Sequence, residues 1–171
     1  PALYMASGIS ELYNENAHNK EKCYFPIHAI DITDGRLIEA RLLQVTDAER
    51  IGVLYTNDDL GTSILNGFKR QLEKEQTGAA VTELKIDTQD DITTAVIKLK
   101  NQGAQAIVAA CQNDRLAQII KALIAENLSI PVFTSYKNAT KDTLALIKNE
   151  YVNVSNKFSV YAGAWLVQND D

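Results

Sequence analysis

The chain has no long hydrophobic run, and none of its apolar stretches approaches the roughly 20 residues that a membrane-crossing helix needs. Its first residues have neither the basic opening nor the apolar core of a secretory leader, so no targeting segment is expected within it. Cations are in the minority: 17 lysines and arginines against 22 aspartates and glutamates give a formal net charge of -5. With no local Lys/Arg cluster to offset that charge, phosphate backbones are repelled and nucleic acid is not an expected partner. Histidine and cysteine are scarce, two of each. His18 and His28 fall in an irregular first segment, which gives no metal-ligand constellation, and the separation of Cys23 and Cys111 leaves their pairing open. The eight glycines are scattered and fit neither a dinucleotide fingerprint nor a P-loop, so no nucleotide or other cofactor is expected.

What is present is an ordinary globular composition, 46% hydrophobic and 23% charged, in a 171-residue chain long enough for a sizeable core. From Arg50 onward, apolar β-type runs alternate with segments of helical period, the pattern of a parallel sheet built from βα units. Ile51 to Tyr55 is the first strand, followed by a helix with Ile64, Leu65, Phe68 and Leu72 on one face and Thr62 or Ser63 as its cap. Ala80 to Ile86 leads to Asp90-Asp91 at a helix start and then to Ile92, Ala95, Val96 and Leu99, with Gly103 as the stop. Ala104 to Ala110 is small and apolar, as a strand buried on both faces should be, and Leu116, Ile119, Ile120 and Leu123 form the next stripe. Ile130 to Thr134 and Phe158 to Ala162 read as the fourth and fifth strands, separated by a helix that Thr140 can cap and that carries Leu144, Ile147 and, as an alternative, Leu146.

Strand starts recur about every 25 to 29 residues without a repeated motif, which indicates serial units of one sheet and not a solenoid. Right-handed crossovers then give an open, three-layer, doubly wound α/β fold, flavodoxin-like, with five mainly parallel strands in the order 2-1-3-4-5. Residues 1–50 break the rhythm. Leu3 to Ala6 is a short apolar stretch before a polar connector, and Tyr24 to Ile30 is limited by Pro26 to an edge or irregular strand. Leu37, Ile38, Leu42 and Val45 predict a helix that begins at Thr33 or Asp34 and packs on the sheet.

In such sheets ligands sit beyond the carboxyl ends of the strands, where the strand order reverses. That rule nominates Asn57, Asp58 and Leu60 after the first strand, Gln112 and Asn113 after the third, and Ser135, Tyr136 and Lys137 after the fourth. These tips offer hydrogen-bonding groups, an aromatic wall and both charge signs, as a small polar ligand requires. The ordinary alternative is that the Asn and Asp residues are turn and cap residues. Enzymatic readings have less support. A phosphoryl-accepting receiver shares this strand order and has an acidic pair like Asp58-Asp59, but it needs an aspartate ending the third strand, where this chain has Ala110-Cys111-Gln112. Cys111 has neither the small flanking residues of a nucleophile elbow nor a base, and Tyr161 near Trp165 reads as packing.

Several of these segments together resemble the type I periplasmic binding proteins of branched-chain amino acid transporters. They are Val53 to Gly61 with Gly67-Phe68, Asp90 and Ile92, Gly103 to Val108, and Asn127 to Val132. Met5 to Gly8 is similar to that family's small-residue loop in the first lobe, and Tyr24-Phe25 with Asp31 to Leu42 to its crossover into the second. The resemblance implies two lobes that close on a ligand, no catalysis and no metal. It divides the chain into a first-lobe and crossover remnant (1–30), a second α/β lobe (31–165) and a tail (166–171). It also implies ligand contacts from Ser7 and Gly8 in addition to the tips already named. Leu60 stands where amino acid binders often have tyrosine, Gln112 where an aromatic is frequent, and Tyr136 near the expected acid. The function implied is extracytoplasmic capture of a small polar ligand, an amino acid or a related compound, for membrane subunits of an ABC transporter. The alternatives are a sensory module of the same fold and, further off, a receiver-like switch. As an excised lobe the chain is expected to bind feebly and to self-associate through the uncovered cleft face.

Overall fold

In the computed structural model, residues 3–5, 24–26, 30–151 and 158–163 are described. Five parallel strands form one sheet: β3 (Arg50–Tyr55), β4 (Ala80–Lys85), β5 (Ala106–Ala110), β6 (Val132–Thr134) and β7 (Val160–Ala162), in the order β4-β3-β5-β6-β7. Counted from β3, this is the expected 2-1-3-4-5. The order follows from composition. Every residue of β5 is buried, and its run of Ala, Ile and Val is narrow enough to take helices on both faces. β4 carries Thr82, Glu83 and Lys85 among its apolar residues and is only partly covered, as suits an edge strand.

Alternation along β3 divides the core into two layers. Ile51 and Val53 face α1 (Asp31–Val45) and α2 (Asp59–Glu75), where they meet Ile38, Leu42, Ile64 and Phe68. Leu54 faces α3 (Gln89–Asn101) and α4 (Asn113–Ala125), among Ile92, Val96, Leu99 and Ile119. Each such side chain contributes about 1.5 to 3 kcal/mol of burial, so the two stripes hold all four helices on the sheet. α1 and α2 approach unusually closely: a Cβ at Gly35 would fall on the Ile64 carbonyl, and one at Gly67 on the Ile32 carbonyl.

Several boundaries differ from expectation. α2 starts at Asp59, ahead of Thr62 and Ser63, because the Asp58 carboxylate accepts the Gly61 N–H at 2.8 Å and takes the cap position first. α1 starts at Asp31, before Thr33 and Asp34, with Ile30 at its cap position and no side-chain cap bond. Leu37 is 57% exposed and stands off the stripe that Ile38 and Leu42 form. On α5 (Lys141–Tyr151) the buried position is Thr143, with Ile147 partly buried. Leu144 and Leu146 point outward, because Thr140 Oγ1 accepts the Thr143 N–H at 3.1 Å and sets the helix phase. In the first segment β1 (Leu3–Met5) and β2 (Tyr24–Pro26) pair in parallel as a small two-stranded sheet, where connector and an edge or irregular strand were expected. No helix among the described residues is long and apolar enough to cross a membrane.

Candidate functional site

Because the helices run back against the strands, the loops that follow the strands share one edge with the helix starts. At the reversal of strand order the Thr56 N–H bonds the Ala110 carbonyl at 3.2 Å, so the ends of β3 and β5 are tied before their chains diverge. Beyond that tie lies a crevice of about 320 Å³ lined by Thr56, Asn57, Asp58, Asp87, Gln112, Asp114 and Arg115. Asn57, Asp58 and Gln112 are therefore brought together as expected, and Asn113 adjoins them as the first residue of α4.

Much of the polarity in this crevice is committed to local structure. Asp58 Oδ1, besides capping α2, accepts the Thr56 hydroxyl at 3.0 Å. Asp87 Oδ1 accepts the Asn57 N–H at 3.2 Å, and Lys85 Nζ lies 2.9 Å from its other oxygen; these bonds hold the Asp87 carboxyl below its ordinary value. Arg115 spans the floor, donating from Nη2 to the Asp87 carbonyl at 2.6 Å and from Nη1 to Gln118 Oε1 at 2.9 Å. The Gln112 side chain makes no cap bond to α4. Leu60, nominated with these residues, is buried in the α1/α2 layer instead of lining the crevice. Ser7 and Gly8 lie outside the described residues, as do Cys23, His18, His28 and Trp165.

Tyr136 belongs to the same edge but lines a different hollow. It opens a 3-10 turn (Tyr136–Asn138) after β6, where Asn138 Nδ2 donates to the Cys111 carbonyl at 2.9 Å and to Thr134 Oγ1 at 2.7 Å. This brace joins the turn to the end of β5. On its other side the turn meets the start of α1, where Lys137 Nζ pairs with the buried Asp31 carboxylate at 2.6 Å. Asp34, also buried, accepts hydrogen bonds from the Ser135 hydroxyl and the Tyr136 N–H, yet its Oδ2 has no hydrogen-bond partner. Burial pushes the Asp34 carboxyl up to about 6, against those two bonds. Burial also raises the Tyr136 phenol to about 12, reinforced by Asp31 and Asp34. Tyr161 of β7 stacks on Phe133 with ring centroids 4.8 Å apart, which is the packing role expected of it.

Asp34, Asp87 and Arg115 were not among the nominated residues. Asp87 follows β4 as Asn57 follows β3, at the second position past the strand, so the same reading of strand ends would have found it. Asp34 had no such signal, since it meets residues 135 and 136 only through the fold. Cys111, next to the crevice residue Gln112, is not poised as a nucleophile: it is buried and its thiol is pushed up to about 12 by that burial. Among the described residues, no group of three or more His, Cys, Asp or Glu side chains is placed to hold a metal ion.

The sequence profile of the receptor family ligand binding region matches residues 40–157. No curated protein matches the chain. Among solved structures, an extracellular ligand-binding receptor from Verminephrobacter eiseniae is similar with a TM-score of 0.71 and 16% identity, over 96% of this chain and 44% of that one. A leucine-binding protein from Thermotoga maritima gives 0.67 at 13% identity, over 75% and 37%. A fatty acid ABC transporter substrate-binding protein from Thermomonospora curvata gives 0.62 at 21% identity, over 74% and 33%. The five-stranded sheet is thus that of a type I periplasmic binding protein lobe, and the chain spans less than half the length of these structures.

Proposed function

We propose, on the premise that this chain belongs to the receptor family ligand binding region, that it supplies the second lobe of a two-lobed receptor that closes on a small polar ligand. The observation that supports this reading best is the convergence of Asn57, Asp58 and Gln112 on one crevice at the reversal of strand order. Gln112, whose side chain makes no cap bond to α4, is the principal ligand contact. Asn57 and Asp58 present the backbone and carboxylate surface opposite it, Arg115 contributes positive charge, and Tyr136 supplies an aromatic wall further along the edge. Ser7 and Gly8 complete the grip from the side of the first lobe. No bond is made or broken: ligand binding favours the closed form of the receptor by its differential affinity, and that closure is the output.

The ligand is an amino acid or a related compound, captured outside the cytoplasm and passed to the membrane subunits of an ABC transporter. The similar structures that bear the names of leucine and fatty acid binding accord with capture of small carboxylates. One lobe has only half of such a grip, so the chain alone binds weakly. A thermal-shift screen of amino acids and short carboxylates against the two-lobed receptor tests the reading. At least one compound is expected to raise the melting temperature in a concentration-dependent way, and Gln112→Ala to remove most of that rise. A hit that Gln112→Ala and Asn57→Ala leave untouched would place the ligand elsewhere.

A further inference from the structure

On the face of the sheet away from α1 lies a hollow larger than the crevice, about 520 Å³ against about 320 Å³, and of a different character. Leu116 of α4, Leu144 and Ile147 of α5, and Val160 and Ala162 of β7 form its apolar wall. Val160 and Ala162 share one face of β7, as alternation along a strand requires, while Tyr161 between them packs in the α1/α2 layer. Thr134 and Asn138 also line the hollow, but their polar hydrogens are spent elsewhere. The Thr134 hydroxyl donates to the Ala109 carbonyl at 2.9 Å, and Asn138 Nδ2 donates to the Cys111 carbonyl and to Thr134 Oγ1. Donors without an acceptor gather at the mouth instead, where α5 begins. The hydroxyls of Thr140 and Thr143 lie 2.9 Å apart, and Thr140 Oγ1 also accepts the Thr143 N–H at 3.1 Å. Two hydroxyls that share one bond use one hydroxyl proton; with Thr143 2% exposed and Thr140 open to solvent, the proton left over is that of Thr140. Beside it the exposed Lys141 lines the same hollow, and its ammonium has no hydrogen bond or ion pair among the described residues. Its neighbour Asp142 is not part of the wall. One end of the hollow thus lacks an anion, and the other leaves apolar surface open to water, with Leu144 65% and Val160 36% exposed.

We infer that this hollow is a second small-molecule site, separate from the crevice, for an amphiphilic monocarboxylate. An unbranched acyl tail lies along Leu116, Ile147 and Val160, and the carboxylate is held at the mouth by Lys141 and the Thr140 hydroxyl. The inference goes beyond the reading of the crevice and does not depend on it. The size and shape of the hollow match those of small-molecule sites, which are mainly apolar with a few placed polar groups. Tail length follows from volume: with a water-sized group taking about 30 Å³, the ten heavy-atom groups or so of an eight-carbon acid take roughly 300 Å³, and the remaining space is the open mouth. The head group follows from the donors. One ammonium and one hydroxyl, side by side, serve the two oxygens of a carboxylate, and the start of α5 adds its own positive potential. A phosphate, with more charge and more oxygens, would be left under-served by the same pair.

Amide NMR of the chain titrated with sodium octanoate tests the site. Shifts are expected at Leu116, Thr140, Leu144 and Val160 while Asn57 and Gln112 stay still. The converse pattern, or no shift at millimolar octanoate, would overturn the proposal. Each fully buried methylene is worth about fourfold in affinity, so octanoate should bind roughly tenfold or more tighter than butanoate, and equal affinities would remove the apolar tail from the account. Leu144→Glu changes a side chain already open to solvent, sets a second carboxylate at the wall, and is expected to lose most of the octanoate binding. Lys141→Met is expected to weaken octanoate several-fold and to leave octanol unchanged; an equal effect on the two compounds would overturn the carboxylate assignment. Shifts at Leu144 and Val160 that follow the concentration of the chain and not that of octanoate would place a second copy on this face, again overturning the site. Gln112→Ala, in the crevice, should leave the octanoate response intact, and a response lost with that variant would move the ligand to the crevice. If octanoate binds here while the two-lobed receptor responds to nothing in the screen, the receptor reading falls and this site stands.

Discussion

The loops after β3 and β6 leave the same edge of one sheet, yet they treat their acids in opposite ways. After β3, Asp58 caps the helix that follows it, and Asp87 of the neighbouring loop anchors the Asn57 amide and pairs with Lys85, so both exposed carboxylates are employed in holding the loops of this edge. After β6 the acids come from α1, whose start lies about 100 residues before β6 in sequence, and both are buried. Charge at the first loop is local and structural, whereas charge at the second depends on how tightly α1 is pressed onto its neighbour. At the second loop one carboxylate oxygen of Asp34 is left without a hydrogen-bond partner, as no acid of the first loop is.

The sharpest way to break this contrast is to lift α1. Gly67→Ala places a Cβ on the Ile32 carbonyl and is expected to cost about 3 kcal/mol or more in urea unfolding. Where the variant still folds, the Asp34 titration should fall back toward its ordinary value of 3.8 as the loop after β6 separates from the helix.

A smaller effect comes from pH. The Asp34 carboxyl stands at about 6 in the folded chain against 3.8 for an unperturbed aspartate, so the folded state retains this proton over a range where the unfolded state has lost it. Its contribution to stability is complete below pH 4 and is lost as pH rises through about 6, a fall of roughly 2 to 3 kcal/mol at 1.36 kcal/mol per pKa unit. Asp34→Asn should flatten that segment of the stability curve and be at least as stable as the parent at pH 8, as unfolding midpoints across pH would show.

At the first loop, Asp58→Ala should cost about 1 kcal/mol, the usual worth of a helix N-cap, with no change in the Asp34 titration. Asp87→Ala is expected to matter least. Its melting temperature should lie closer to the parent's than that of Asp58→Ala does, and closer still in high salt, while the Asn57 amide resonance shifts.

The same contrast explains what was legible in the sequence. The strands and their order could be read because each apolar run carries its own signal, from the all-buried Ala106–Ala110 to the half-covered Ala80–Lys85. Asn57, Asp58 and Gln112 could be placed together because a parallel sheet puts every strand end on one edge. Which residue caps α2 could not be read, since Asp58, Thr62 and Ser63 are all good caps. Asp58 prevails because the absent Cβ of Gly61 lets the turn close against the Thr56 carbonyl. The burial of Asp31 and Asp34 had no local mark, because they occupy positions on α1 that composition assigns to solvent. Leu37 and Leu144 stood in expected apolar stripes but face outward, since a shift of a single residue, about 100° of helix phase, decides which side of a short helix meets the sheet.

The central claim is that the edge formed by the ends of β3, β5 and β6 receives the ligand. Its most direct test is an amide NMR titration of the chain with a millimolar mixture of the common amino acids. The account predicts shifts concentrated at Asn57, Gln112 and Tyr136 and none at Gly78 or Gly103, which lie at the opposite edge. Shifts centred on Gly78 and Gly103, with the other three amides still, would contradict it.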